Sequence, residues 1–164
     1  MSSSKINETI KSLVHGVYII GVKYKAKING MTAAWVSQVS SKPPMISVAI
    51  GKNHYTADLI HRAKSFSINF LSSEQHELAR KYGFVSGRDQ DKLDRKDVVF
   101  KVTGTPILRN CAAYLECNLV QQIEAGDHIL FLGIVVNADN KDKSLLIYKS
   151  QDFFNNQYKE ENRK

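Results

Sequence analysis

Residues Asn29–Ile50 read NGMTAAWVSQVSSKPPMISVAI, and this stretch decides the architecture of the 164-residue chain. Asn29 and Gly30 both tolerate the positive φ of a type I′ turn, so the pair predicts a two-residue hairpin. On that reading Gly16–Lys23 (GVYIIGVK) and Met31–Ser40 run antiparallel on either side of it. Pro43-Pro44 ends the second run, because proline cannot donate to a ladder, and Met45–Ile50 opens a third. Gly16–Lys23 is apolar and rich in β-branched residues, as suits a strand buried on both faces. Ser65–Leu71 alternates, with Phe66, Ile68 and Phe70 opposite Ser65, Ser67 and Asn69. Val98–Val102, Ala113–Ile123, Ile129–Ala138 and Ser144–Tyr148 complete the strand set, and the Gly126 region turns between the two longest.

Two helices interrupt the strands. The first opens at Thr56, whose hydroxyl is expected to cap the free amides, with Leu59, Ile60 and Ala63 as its buried stripe. The second runs from about Glu74 to Tyr82, with Ser73 as cap and Gly83 as terminator. Many short strands and few helices make the fold class mainly β, a small closed or half-closed barrel. The length suits one domain over residues 1–164, with an ordered core of about 10–155 and a polar, frayed tail at Asn155–Lys164.

Composition narrows the function. Val17–Val22 and Ile129–Val136 are the longest apolar runs, far short of the ~20 residues a membrane helix needs. Met1–Asn29 lacks a cleavable signal pattern, so a cytoplasmic location is expected, with no membrane association. Cys111 and Cys117 read as core residues, too few for a disulfide framework or a metal set. The net charge of +7 comes from five bases against one acid in residues 1–30, ten against seven over 31–100, and a balance beyond. Those bases are scattered and accompany no nucleic-acid-binding motif, so no nucleic-acid partner is expected. The excess would instead attract an anionic cofactor or steer an acidic protein.

No GxSxG, HExxH, P-loop or CxxC pattern is present. Four weaker features remain. Asn29, Thr32, Ala33, Ala34 and Trp35 place polar, small and aromatic residues beside a turn, where small side chains let a flat ring approach the backbone or simply pack. Asn53, His54 and Thr56 lie where a buried strand meets a helix start, which is either an anion site or an ordinary cap. His128, after Gly126-Asp127, is either an exposed imidazole or a proton donor aimed into a cleft. Lys92 ends a charged loop containing Ser86-Gly87.

Taken in order, Asn29–Ile50, the NHYT of Asn53–Thr56, the VSGRDQDK of Val85–Lys92 and the GDHILFLGIV of Gly126–Val135 resemble the flavin reductase-like, FMN-binding split-barrel family. The flavoredoxin and ferric-reductase type is the nearer likeness, and it spans about residues 15–155. The resemblance implies a six-stranded Greek-key split barrel, usually a homodimer, holding FMN non-covalently. It implies that Asn29, Thr32, Ala33, Ala34 and Trp35 line the ring and ribityl chain. Ser40, Asn53, His54 and Thr56 would hold the ribityl and phosphate end, and Lys92 would balance negative charge. His128 would sit beside the ring where hydride arrives from NAD(P)H, and Phe153 or Phe154 would cover one face. The implied activity is NAD(P)H-dependent reduction of flavin, with electrons passed to free flavin, ferric iron or a redox protein partner. The alternative is a flavoredoxin-like carrier reduced by a protein.

Overall fold

The computed structural model describes residues 3–149, so the expectations for Phe153, Phe154 and the tail Asn155–Lys164 lie outside the described residues. Helix α1 (Ser3–Ile10), which the periodicity did not announce, leads into β1 (Tyr18–Tyr24). The hairpin that follows does not turn at Asn29-Gly30. It turns at Lys25-Ala26, where Lys25 adopts φ 54, and β2 (Lys27–Ala33) carries Asn29 and Gly30 in mid-strand opposite Val22 and Gly21. Tertiary partners override the dipeptide preference: Asn29 bonds a buried side chain, and Gly30 gives room to Ile19 and Tyr82.

The strand expected over 31–40 is accordingly divided. Met31–Ala33 completes β2, the chain bends at Ala34-Trp35, and β3 (Val36–Ser41) pairs with β4 (Pro44–Gly51) across the proline pair. Helix α2 (Tyr55–Ala63), β5 (Ser65–Phe70) and α3 (His76–Gly83) follow. Then come β6 (Val98–Phe100), the unanticipated β7 (Pro106–Leu108), and the long pair β8 (Ala113–Ala125) and β9 (His128–Asn140). The expected strand at 144–148 makes only isolated bridges at Leu145 and Ile147. Gly126, at φ 60, occupies the tight β8–β9 turn as expected, a conformation in which glycine carries no steric penalty.

Seven strands form one antiparallel sheet in the order β2-β1-β5-β8-β9-β4-β3. Strands from both halves of that order feed one cluster: Ile20 and Val22 of β1, Val48 and Ile50 of β4, Phe66 and Ile68 of β5, and Phe131 of β9. The sheet therefore curls into a barrel around them, split where β2 and β3 make no ladder, and α2 adds Ala57, Leu59 and Ile60 to the same core. Burying each large side chain there contributes about 1.5–3 kcal/mol. A second cluster covers the outside of β1 and β2, where Val17, Ile19 and Ile28 meet Tyr82 of α3 and Ile107 and Leu108 of β7. That outer layer explains why Ser67 and Asn69, placed opposite the aromatic face of β5, are themselves buried. They donate to the Pro106 and Ile19 carbonyls, and Asn69 accepts from the Leu108 amide.

A carboxylate is also fully buried in this layer. Glu116 of β8 accepts from the amides of Val102 (3.1 Å) and Thr103 (2.9 Å), the Thr103 hydroxyl (2.7 Å) and Asn137 Nδ2 (2.7 Å). It thereby fixes the connection between β6 and β7. Among the described residues no helix is long and apolar enough to cross a membrane.

Candidate functional site

The start of α2 joins two groups of candidate residues. Asn29 lies on the inward-facing side of β2, in register with Val22, and meets α2 there. Its Nδ2 donates to Thr56 Oγ1 at 2.8 Å, and both side chains are buried, Asn29 to 2% exposure. The Thr56 hydroxyl is thus drawn away from the helix end, contrary to the expected capping role. His54 is the N-cap residue and makes no capping hydrogen bond through its side chain. The Ala57 amide donates to the His54 carbonyl at 3.0 Å, and the two helix amides ahead of it, with the helix dipole, favour an anion.

The second group lies one strand away. Trp35 is held at the bend by its carbonyl, which accepts from the Ala49 amide at 3.0 Å, and its ring remains half exposed. The His128 imidazole lies 4.6 Å from it, centroid to centroid, at a 39° tilt. His128 Nδ1 is 2.7 Å from Asp127 Oδ1; an ionised carboxylate only accepts, so Nδ1 carries the proton and donates. That leaves Nε2 as the ring's reactive atom. The bond from His128 holds the Asp127 carboxyl below its usual range. Gly51 pairs with His128 in the β4–β9 ladder, and a Cβ at position 51 would come within 2.8 Å of the His54 ring. His54 and His128 therefore flank a glycine that leaves them space. The hairpin tip is pinned by Lys52, whose amide donates to the Asp127 carbonyl (3.0 Å) and whose ammonium pairs with Glu124 (2.7 Å).

Other expected residues stand apart. Thr32 points to the opposite side of β2 from Asn29 and donates to the Ala79 carbonyl of α3 at 2.6 Å. Ser40 sits at the far end of β3 from Trp35, opposite Met45. Ala33 is buried in the barrel core, Ala34 is half-buried at the bend, and Asn53 is exposed in the turn before α2. Cys111 and Cys117 are buried and free, and burial pushes the Cys117 thiol up to about 12, as fits core residues. Helix α3 also starts later than expected: Gln75, not Ser73, is its N-cap residue, and Gln75 Oε1 accepts from the Ser72 amide.

Lys92 is the sharpest departure. Its ammonium is buried against the outer cluster and donates to the Tyr82 carbonyl at 3.1 Å. Burial lowers its pKa to about 8. A lysine whose folded pKa falls below the unfolded ~10.4 binds fewer protons when folded, so stability rises as pH climbs from about 8 toward that value. Lys92→Met is expected to raise the thermal midpoint at pH 7 and to flatten this rise, measured by calorimetry across pH 7–10; an unchanged pH profile would count against a buried charge.

Gly87, Asp127 and Gly51 are site residues that composition did not single out by role. A Cβ on Gly87 would overlap Asn29 Oδ1, so the segment 85–92 can rest on the Asn29 carboxamide only with glycine there. The signals existed, as Gly in a charged loop, Gly before a helix start and Asp beside His, but each is also ordinary turn chemistry.

Comparison with known proteins bears on this geometry. The family model for the flavin reductase like domain matches residues 10–157. The chain belongs to that family. This flavin reductase-like chain is 36% identical over 133 residues to the high molecular weight rubredoxin of Moorella thermoacetica, covering 80% of this chain but only 58% of that protein. The match to flavoredoxin from Methanosarcina acetivorans has a TM-score of 0.74 at 33% identity, covering 79% of this chain and 70% of the other. The match to an FMN-binding protein from Thermus thermophilus has a TM-score of 0.76 at 30% identity, covering 80% and 74%. The donor set of the flavin reductase-like site fits FMN by its own chemistry. A helix start without a side-chain cap and the Asn29–Thr56 pair suit a phosphorylated polyol tail, and the Trp35–His128 surface suits a flat ring.

Proposed function

We propose that the protein binds FMN non-covalently and acts as an NAD(P)H-dependent flavin oxidoreductase. The observation that carries this reading is the meeting of two unlike surfaces at one helix start. Polar Asn29 and Thr56 lie on one side of it, and the Trp35–His128 ring pair on the other. Bound FMN would supply the chemistry that protein side chains lack, taking up a hydride and releasing it as electrons to an acceptor. The chain's own residues orient and tune. Asn29, Thr56 and the α2 amides would hold the phosphorylated tail; Trp35 would pack on a ring face. His128, its Nδ1 proton committed to Asp127, would present Nε2 as hydrogen-bond partner and proton carrier where negative charge develops.

Protein purified gently is expected to be yellow, and anaerobic mixing with NADH or NADPH is expected to bleach its visible flavin band. Protein that is colourless and cannot take up added FMN would overturn the proposal. A flavin band that only a reduced protein bleaches would instead support the second reading, an electron carrier. That reading is favoured by the similarity to flavoredoxin and to a protein named for rubredoxin. A rubredoxin-type iron protein is the corresponding acceptor to try.

A further inference from the structure

We propose that segment 85–92 is an ion-latched strap that must lift to admit an anionic tail to Asn29, Thr56 and the start of α2. This rests on the flavin reading of that site. The segment has little of its own to hold it: its backbone bonds are local, from the amides of Asp89 and Gln90 to the Ser86 carbonyl, with the Arg88 amide on the Ser86 hydroxyl. It forms no ladder with the sheet. Its position is set by side chains reaching across the site. Arg88 pairs with Asp58 of α2 at 3.0 Å, and its guanidinium lies 5.4 Å from the Tyr55 ring centroid. Asp91 pairs with Lys27 of β2, whose ammonium is also 6.0 Å from the Tyr55 centroid. Immediately before the Arg88 latch, Gly87 sits on the Asn29 carboxamide, which is buried there. At the far end, the bond from Lys92 to the Tyr82 carbonyl acts as the hinge post.

The latches are weak by construction. Arg88 and Asp58 are more than half exposed, and Asp91 is 77% exposed, so salt screens both pairs. This gives the strap a signature opposite to that of simple steering. Attraction of an anion to a basic protein weakens with salt and slows association. An ion-latched strap opens more readily with salt and speeds it.

The test uses the full chain, with and without FMN, and the double variant Asp58→Asn, Asp91→Asn. Hydrogen exchange of the 86–92 amides is expected to quicken about tenfold in the wild type when salt rises from about 20 to 500 mM. In the variant it is expected to be fast already and indifferent to salt, while Asp139→Asn, far along β9, behaves as wild type. FMN association, followed by fluorescence quenching, is expected to rise with salt in the wild type and to fall with salt in the variant. Strap amides equally protected and salt-insensitive in both proteins would overturn the proposal. So would FMN association that falls with salt in the wild type. Should FMN fail to bind while exchange follows the expected pattern, the flavin reading falls and the latch stands.

Discussion

Replacing His128 with alanine is expected to slow the bleaching of the protein's flavin by NADH about 100-fold, while FMN affinity changes less than about threefold. The two effects separate because of where His128 sits. The groups proposed to hold the tail, Asn29, Thr56 and the α2 amides, belong to β2 and α2, whereas His128 opens β9 and meets the approach to α2 at Gly51 and Lys52. Removing the imidazole leaves Trp35 in place, since the indole is tethered by its own backbone through Ala49. What is lost is a polarisable group with one proton fixed by Asp127 and Nε2 free to act. Asp127→Asn is expected to lie between wild type and His128→Ala, because the asparagine oxygen still accepts from Nδ1 but makes a weaker bond than a carboxylate and holds the ring less firmly. Stopped-flow reduction kinetics and FMN titration on the same samples check both. Equal rates for wild type and His128→Ala would remove His128 from the reaction, and a matched loss of rate and affinity would make it a binding residue only.

How much of this was legible in the sequence depends on which contacts decide each element. β5 was readable because its alternation reflects one face packed in the barrel core, β8 and β9 because their apolar runs are the long ones, and the Gly126 turn because its positive φ favours glycine. The Asn29-Gly30 hairpin failed for the opposite reason. The dipeptide is permissive, not obligatory, and the side-chain bond from Asn29 to Thr56 stabilises an extended backbone in its place. The same bond removed Thr56 from its expected cap, so one tertiary contact accounts for two local misreadings. β7 was missed because three residues carry no period, and its role emerges only from the Ser67 and Asn69 bonds it receives.

The candidate residues named from the sequence divide in the structure into those that meet and those that do not. Asn29, His54, Thr56, Trp35 and His128 converge on α2 and Gly51, although they come from four separate parts of the chain. Thr32 does not converge, because side chains alternate across a strand and Thr32 is an odd number of positions from Asn29. Once β2 is continuous through Asn29, that separation follows from pleat geometry alone. Lys92 could not be placed in advance. A lysine in a charged loop reads as solvated, and only the packed structure shows it buried with its ammonium on the Tyr82 carbonyl.

Glu116→Ala is expected to lower unfolding free energy by about 3 kcal/mol at pH 7, the largest stability effect of any polar substitution considered for this chain. The carboxylate receives two backbone amides, a hydroxyl and a carboxamide, all from groups turned inward to reach it. Truncation leaves the Val102 and Thr103 amides without their acceptor, while the Thr103 hydroxyl keeps Thr105 Oγ1 (2.7 Å) and Asn137 Nδ2 keeps the Tyr114 hydroxyl (3.4 Å). An unpaired buried donor costs about 1–3 kcal/mol, reduced where water can enter at the edge of the β6–β7 connection. Glu116→Gln keeps the volume but turns one acceptor into a donor facing other donors, so about 2 kcal/mol is expected. Burial alone would raise the Glu116 pKa, but the bonds from Asn137, Thr103 and Val102 outweigh it and hold the carboxyl below its ordinary value. A depressed folded pKa adds stability above the unfolded value of ~4.3, and that contribution is lost as pH falls through the lower folded value. Urea midpoints measured at pH 7 and at pH 3 should therefore draw closer together in Glu116→Gln than in the wild type. The loss should reach the outer layer first, because the 101–105 connection that Glu116 fixes carries β7, and β7 supplies the Pro106 carbonyl that Ser67 bonds beneath β1. Equal acid sensitivity in the two proteins would mean that Glu116 is already protonated when folded, and the four-donor account would then be wrong.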